Sequence, residues 1–176
     1  MKFIRIISLV LVFISVCFLV EGQTKEAIIK NIREEFLRIN TDKKLKKTKL
    51  EAEEFLENIP DGGGELTGFK RNDSIVKITE WIGISYGNRT REFYFRNQKL
   101  IFVYEKFDAF VSDSKTGELD KSKTKAAFEG RYYFNNENLI EEKLSGKKPM
   151  DDDEKNIASE LLSSAKGNLK ILTEKK

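Results

Sequence analysis

The stretch Phe93-Tyr94-Phe95-Arg96-Asn97-Gln98-Lys99-Leu100-Ile101 decides the fold, because it returns as Tyr132-Tyr133-Phe134-Asn135-Asn136-Glu137-Asn138-Leu139-Ile140. A weaker third copy is Phe69-Lys70-Arg71-Asn72-Asp73-Ser74-Ile75-Val76. Each copy reads as an aromatic strand, a two-residue turn led by Asn, and an aliphatic return strand. Asn suits the first turn position because it tolerates positive φ. Three such units predict a sheet made of consecutive hairpins.

Working outward, the period-two pattern runs from Glu65 to Ser145. Segments rich in Ile, Val, Thr, Phe and Tyr alternate with short polar turns, which predicts strands near 65–71, 74–84, 90–96, 99–108, 125–135 and 138–144. Tyr86-Gly87-Asn88 reads as a turn and Ser112 to Ser122 as a longer polar loop. Pro60-Asp61-Gly62-Gly63-Gly64 marks the break before the strands. Thr24 to Asn40 reads as a helix capped by Thr24, with Ile28, Ile32, Phe36 and Ile39 on one face. A second helix is expected over 152–173, with Asp151 and Glu154 as a capping box and Ile157, Leu161, Ala165, Leu169 and Leu172 as its apolar stripe. The segment 43–58 carries a lysine block and then a glutamate block. Its composition favours helix, yet a sheet could recruit it, so helix and strand both stay open.

Cross-strand partners follow from two-residue turns by counting. Phe95 is set opposite Leu100, Phe93 opposite Phe102, Phe134 opposite Leu139 and Tyr132 opposite Glu141. Tyr94 with Ile101, Tyr133 with Ile140 and Phe69 with Val76 then share the other face. The first set is the more apolar, so both helices are expected there. By the same parity Trp81 joins Ile75 on the apolar face. The fold class expected is α+β: an antiparallel meander of about six strands with an N-terminal and a C-terminal helix packed on one face.

Composition limits the chemistry. The 176-residue chain has no His and a single Cys, Cys17. No imidazole base, His metal ligand or Cys-His nucleophile is available. Met1 to Arg5 is a short basic lead, Ile6 to Val20 is apolar, and Val20-Glu21-Gly22 offers a cleavage site. This layout predicts a secretory signal peptide over 1–22 and one domain over 23–176. The apolar run is shorter than the roughly 20 residues that span a bilayer. Ile14-Ser15-Val16-Cys17 resembles a lipobox, with Val16 where a small residue is usual, so lipidation at Cys17 is the alternative. An exported domain without disulfides suits a bacterial envelope, periplasmic or secreted. With 32 basic and 29 acidic residues the charge is nearly balanced, and nucleic acid is not an expected partner.

The motifs Gly63-Gly64-Glu65-Leu66-Thr67-Gly68-Phe69, Arg91 to Glu105 and Arg131-Tyr132-Tyr133-Phe134 resemble exported bacterial proteins and lipoproteins built on Tyr-Tyr-Phe-x-Asn-Gly-type hairpin repeats, loosely like variant MORN units. In this chain Gln98 and Glu137 replace the Gly usual at the second turn position. The resemblance implies an envelope location and an antiparallel sheet, and it brings no catalytic residues.

No metal, cofactor or catalytic constellation is expected. Asp151-Asp152-Asp153 is explained by helix capping, and the loop Asp113 to Glu118 lacks EF-hand spacing. The candidate binding face is the mixed aromatic and charged one: Phe69, Tyr94, Tyr133, Glu92, Arg131 and Glu142. A non-enzymatic binding or scaffold role toward a protein, peptide or glycan partner is expected, using that face or a sheet edge. The alternatives are a glycan hydrolase working through two carboxylates, with Glu80, Glu92 and Glu105 as candidates, or an anchored lipoprotein with a structural role.

Overall fold

The computed structural model describes residues 24–149 and 156–175. The expected signal segment, Cys17 and the Asp151–Glu154 capping box lie outside the described residues. Helix α1 (Lys25–Thr41) comes first, with the Thr24 hydroxyl accepting the Ala27 N–H as its cap. Seven strands follow: β1 (Lys46–Glu51), β2 (Gly64–Arg71), β3 (Ser74–Ile84), β4 (Gly87–Arg96), β5 (Lys99–Ser112), β6 (Leu119–Asn135) and β7 (Asn138–Gly146). Helix α2 (Ile157–Glu174) closes the chain, capped by Asn156. The strands lie side by side in chain order, each antiparallel to the next. The α+β meander is therefore as expected, with one strand more.

The additional strand is β1, from the segment that composition left open. Its backbone pairs with β2 and Leu50 enters the core, which outweighs the helical propensity of its Lys and Glu. The turn expected at Tyr86-Gly87-Asn88 falls one residue earlier, because Ile84 pairs with Gly87. Part of the expected 112–122 loop is strand, since β6 begins at Leu119.

Two of the three hairpin copies share one turn geometry, and all three share the bulge that follows. Asn97 and Gln98 have φ of 51° and 62°, and Asn136 and Glu137 have 48° and 64°. Positive φ at both central positions defines a type I′ turn, whose twist matches the flanking strands. Asn72 holds 54° in the first copy. Beside the turns the pairing is as counted, with Phe95 opposite Leu100 and Phe134 opposite Leu139. Then the ladder slips by one residue in every copy. Phe69 meets Lys77, Tyr94 meets Phe102 and Tyr133 meets Glu141. Val76, Ile101 and Ile140 are each the extra residue of a β-bulge. The counted pairs Phe93–Phe102, Tyr132–Glu141 and Phe69–Val76 are corrected accordingly: Phe93 faces Val103 and Tyr132 faces Glu142.

The bulge resets which side each later residue faces. Ile101 and the next residue, Phe102, both belong to the layer under α1, while Leu100 and Val103 belong to the layer under α2. The two helices consequently lie on opposite faces, not on one. α2 packs Leu161, Ala165 and Leu172 on Ile78, Phe93, Phe95, Val103, Tyr132 and Phe134. α1 packs Ile29, Ile32 and Ile39 on Val76, Tyr94, Ile101, Phe102 and Tyr133. The physical reason is visible in Phe93-Tyr94-Phe95 and Tyr132-Tyr133-Phe134. Consecutive apolar residues in a strand leave apolar surface on both faces, and each face needs a cover.

Each helix crosses the strands. On α1, Lys25 pairs with Glu141 of β7 at 3.1 Å, Phe36 packs on Tyr94 and Phe102, and Asn40 accepts from Lys77 of β3. On α2, Glu160 meets Arg91 of β4, Asn168 meets Glu80 of β3, and Leu172 lies over Gly68 of β2, where a Cβ would sit 3.0 Å from it.

Candidate functional site

The row of side chains under α1 runs across the whole sheet: Lys47, Phe69, Lys77, Tyr94, Phe102, Tyr133 and Glu141. Its centre is aromatic, with ring centroids 5.7 Å apart for Tyr94–Phe102 and 4.9 Å for Phe102–Tyr133. The next row on that face is Thr67, Thr79, Glu92, Tyr104, Arg131 and Lys143. α1 covers the first row and leaves the second at its flank. Between them lies a half-open groove of about 330 Å³, lined by Ile32, Arg33 and Phe36 of α1 and by Glu92, Phe102, Tyr104, Arg131 and Tyr133 of the sheet.

Three of the six expected residues, Glu92, Arg131 and Tyr133, therefore meet at one groove. The others do not. Tyr94 is fully buried beneath α1, and Tyr133 is only 4% exposed, so its ring is groove floor rather than an open surface. The uncovered face that follows from placing both helices on the opposite side is corrected: α1 covers this face. Phe69 is half-buried two strands away, with the ammonium groups of Lys47 and Lys77 over its ring at 5.4 and 5.6 Å. Glu142 faces Tyr132 and so lies on the α2 side, moved there by the Ile140 bulge. Trp81 also changes sides, because the Val76 bulge places it with Lys77 and Thr79 on the α1 face, half-buried between Glu65 and Thr90.

The groove residues that counting missed are Ile32, Arg33, Phe36, Phe102 and Tyr104. Ile32 and Phe36 belong to the α1 stripe, which strand parity alone assigns to the opposite face. Phe102 and Tyr104 were hidden by the parity error at Ile101.

The charges in the groove divide into spent and unspent. Glu92 is spent: the Lys77 ammonium donates to one oxygen at 2.6 Å and the Tyr94 hydroxyl to the other at 2.6 Å. Burial, and then the Glu92 charge, push the Tyr94 hydroxyl far above the usual tyrosine range, so it stays a donor. Arg131 gives one nitrogen to Glu129 at 3.0 Å and lies 5.2 Å over the Tyr104 ring. Arg33 lies 5.7 Å over the Tyr133 ring and has no ion pair among the described residues. Both guanidinium groups rest on aromatic faces, a cation–π arrangement that positions them without consuming their N–H donors.

The opposite face holds a second polar cluster, and it is sealed. Glu80, Arg91 and Glu105 stand in one cross-strand row. Arg91 Nε donates to Glu105 at 2.7 Å, its Nη1 to Glu160 of α2 at 2.7 Å, and the Tyr132 hydroxyl to Glu105 at 3.3 Å. Asn168 of α2 donates to Glu80 at 2.9 Å. Gly130 makes room for Tyr132, since a Cβ there would lie 2.6 Å from its ring. Burial disfavours the Arg91 charge, but Glu105 and Glu160 more than restore it and raise its pKa above the usual value. Burial, then Glu105, likewise raises the Tyr132 hydroxyl. Two of the three acids named for hydrolysis, Glu80 and Glu105, thus lie beneath α2, and the open groove holds one carboxylate, Glu92.

A wider hollow of about 750 Å³ lies between α2 and the hairpin tips. Its lining mixes Lys70, Lys166 and Lys170 with Asp73 and Glu174, and Lys166 is already paired with Glu137 at 2.7 Å. Its walls are long surface side chains, so it is the weaker candidate. Among the described residues there is no group of three or more side chains able to hold a metal ion, and no helix long and apolar enough to cross a membrane. Comparison with family models, with curated proteins and with solved structures returned no match.

Proposed function

We propose that the chain is an exported, non-enzymatic binding protein whose recognition site is the α1 groove. One observation carries this reading. An aromatic floor is joined there to two guanidinium groups that keep free donors, while the single carboxylate is fully engaged by neighbours. A groove of this size and character resembles the largely apolar small sites, with a few convergent polar groups, that proteins use for ligands. Export rests on the basic lead and apolar run of Met1 to Val20.

Two measurements test the two parts. Amide shift mapping of ¹⁵N-labelled protein against a library of aromatic fragments should concentrate changes on residues 32–36, 102–104 and 131–133. Changes concentrated beside α2, or turnover of a fragment, would overturn the binding reading. Mass spectrometry of the mature N-terminus should find a free or cyclised Gln23. A lipidated Cys17 would make it an anchored lipoprotein, and a retained Met1 would refute export.

A further inference from the structure

We infer that the ligand of the α1 groove is an organic monocarboxylate carrying a flat or extended apolar body. This deepens the reading above and rests on it. With Glu92 held by Lys77 and Tyr94, and with Glu129 offsetting part of Arg131, the groove presents about one uncompensated positive charge, centred on Arg33. One positive charge balances a monoanion. It underpays a phosphate, which carries nearly two negative charges.

The geometry agrees with the charge. A guanidinium held over a ring by cation–π attraction need not use its N–H donors there, and its N–H fork matches the two oxygens of a carboxylate. Arg33 stands over Tyr133 and Arg131 over Tyr104, and both line the groove. The groove wall formed by Phe36, Phe102 and Tyr104 then receives the apolar body. At about 330 Å³ it sits at the low end of the roughly 300–1,000 Å³ found for ligand sites, room for one ring or a short chain. A free small carboxylate and the C-terminal residue of a polypeptide share this chemistry.

The test is titration calorimetry with five probes: 3-phenylpropionate, its amide, phenyl phosphate, acetyl-Gly-Gly-Phe with a free C-terminus, and the same peptide amidated. Each acid should bind at least tenfold more tightly than its amide. Arg33→Gln should remove most of that difference, and Lys30→Gln, exposed on the same helix, should leave it intact. A peptide acid tenfold tighter than 3-phenylpropionate assigns the source to a polypeptide C-terminus, and the reverse assigns a free carboxylate. Equal binding of acid and amide, tighter binding of phenyl phosphate, or indifference to Arg33→Gln overturns the carboxylate assignment. If those binders still shift the amides of Phe102 and Tyr104, the groove survives as a site of another specificity. If no probe shifts them at millimolar concentration, the groove falls as well.

Discussion

Arg91 keeps its charge at 2% exposure because Glu105 and Glu160 both reach it, and because β4 and β5 hold it in register with Glu105. A buried pair of this kind is weak evidence for net stability, but breaking it is costly, since the partner charge is left uncompensated. Arg91→Met should therefore destabilise the fold by about 3–5 kcal/mol, read as a fall in the urea midpoint with an unchanged slope. A loss under 1 kcal/mol would mean that the Arg91 charge contributes little net stability to the buried cluster. The turns offer the opposite sign. Gln98 holds φ of 62° without being Gly, and a left-handed residue other than Gly carries strain of about 1–2 kcal/mol. Gln98→Gly should stabilise by roughly 0.5–1 kcal/mol once the extra freedom of Gly in the unfolded chain is set against that relief. A lower melting temperature in this variant would show that the Gln98 side chain contributes contacts worth more than the strain.

The elements were legible to different depths. Asn97 and Asn136 marked two turns, and the Thr24 cap with its Ile stripe marked α1, because these signals are local. The bulges were not legible by counting, since the extra residues Val76, Ile101 and Ile140 are ordinary strand aliphatics. Two signs did exist in the sequence: the three stand at matching places in the repeat, and Leu100-Ile101-Phe102-Val103 is apolar at every position, as a strand covered on both faces must be. Missing the bulges put both helices on one side and moved Glu142 into the wrong face. The groove at α1 was for the same reason only half legible, through Glu92, Arg131 and Tyr133. The bulge is itself testable. Deleting Ile101 would restore strict alternation with Leu100 opposite Phe95, Phe102 opposite Tyr94 and Val103 opposite Phe93, so each keeps its present face and only the Ile101 side chain under α1 is lost. The variant should still unfold cooperatively, followed by calorimetry, at a melting temperature lowered by the missing Ile101 contacts, and loss of a cooperative transition would mean that the sheet needs the local twist of the bulge. Where α1 ends, Asp42 accepts from the Lys44 N–H and from Arg71, which hold its pKa below 3.8. A depressed folded pKa means stability that is present above 3.8 and lost as pH falls through the folded value. Asp42→Asn should thus be less stable than the parent at neutral pH, and the gap should close as pH falls below 3.8. A gap independent of pH would assign the effect to the Asp42 geometry and not to its charge.

At the scale of the molecule, a meander covered on both faces distributes stability unevenly. β4 and β5 are paired along both edges and lie beneath α1 on one face and α2 on the other. β1 is a six-residue edge strand, and its lysines discourage pairing with another chain. β5 and β6 continue together past their neighbours. β4 supports β5 only as far as Ala109, with Tyr86 accepting the Phe110 N–H just beyond, and β7 supports β6 from Phe128 onward. The ribbon from Val111 to Lys125 is thus a two-stranded extension interrupted at Lys121 to Lys123, where the register slips. Two strands alone are marginally stable in water, so this ribbon should open far more readily than the sheet it extends. Native-state hydrogen exchange should then give three tiers. Amides of Phe93 to Phe95 and Leu100 to Phe107 should exchange only through global unfolding, those of β1 and β7 through partial opening, and those of residues 112–125 fastest. The middle tier also separates the two helices. If α1 detaches alone, the amides of Tyr94 and Phe102 should remain protected by their strand neighbours, while Lys77 and the Tyr94 hydroxyl lose their hydrogen bonds to Asn40. Exchange at Phe102 as fast as at Lys125 would refute a sheet-centred core and would place the stability of this chain in its helices.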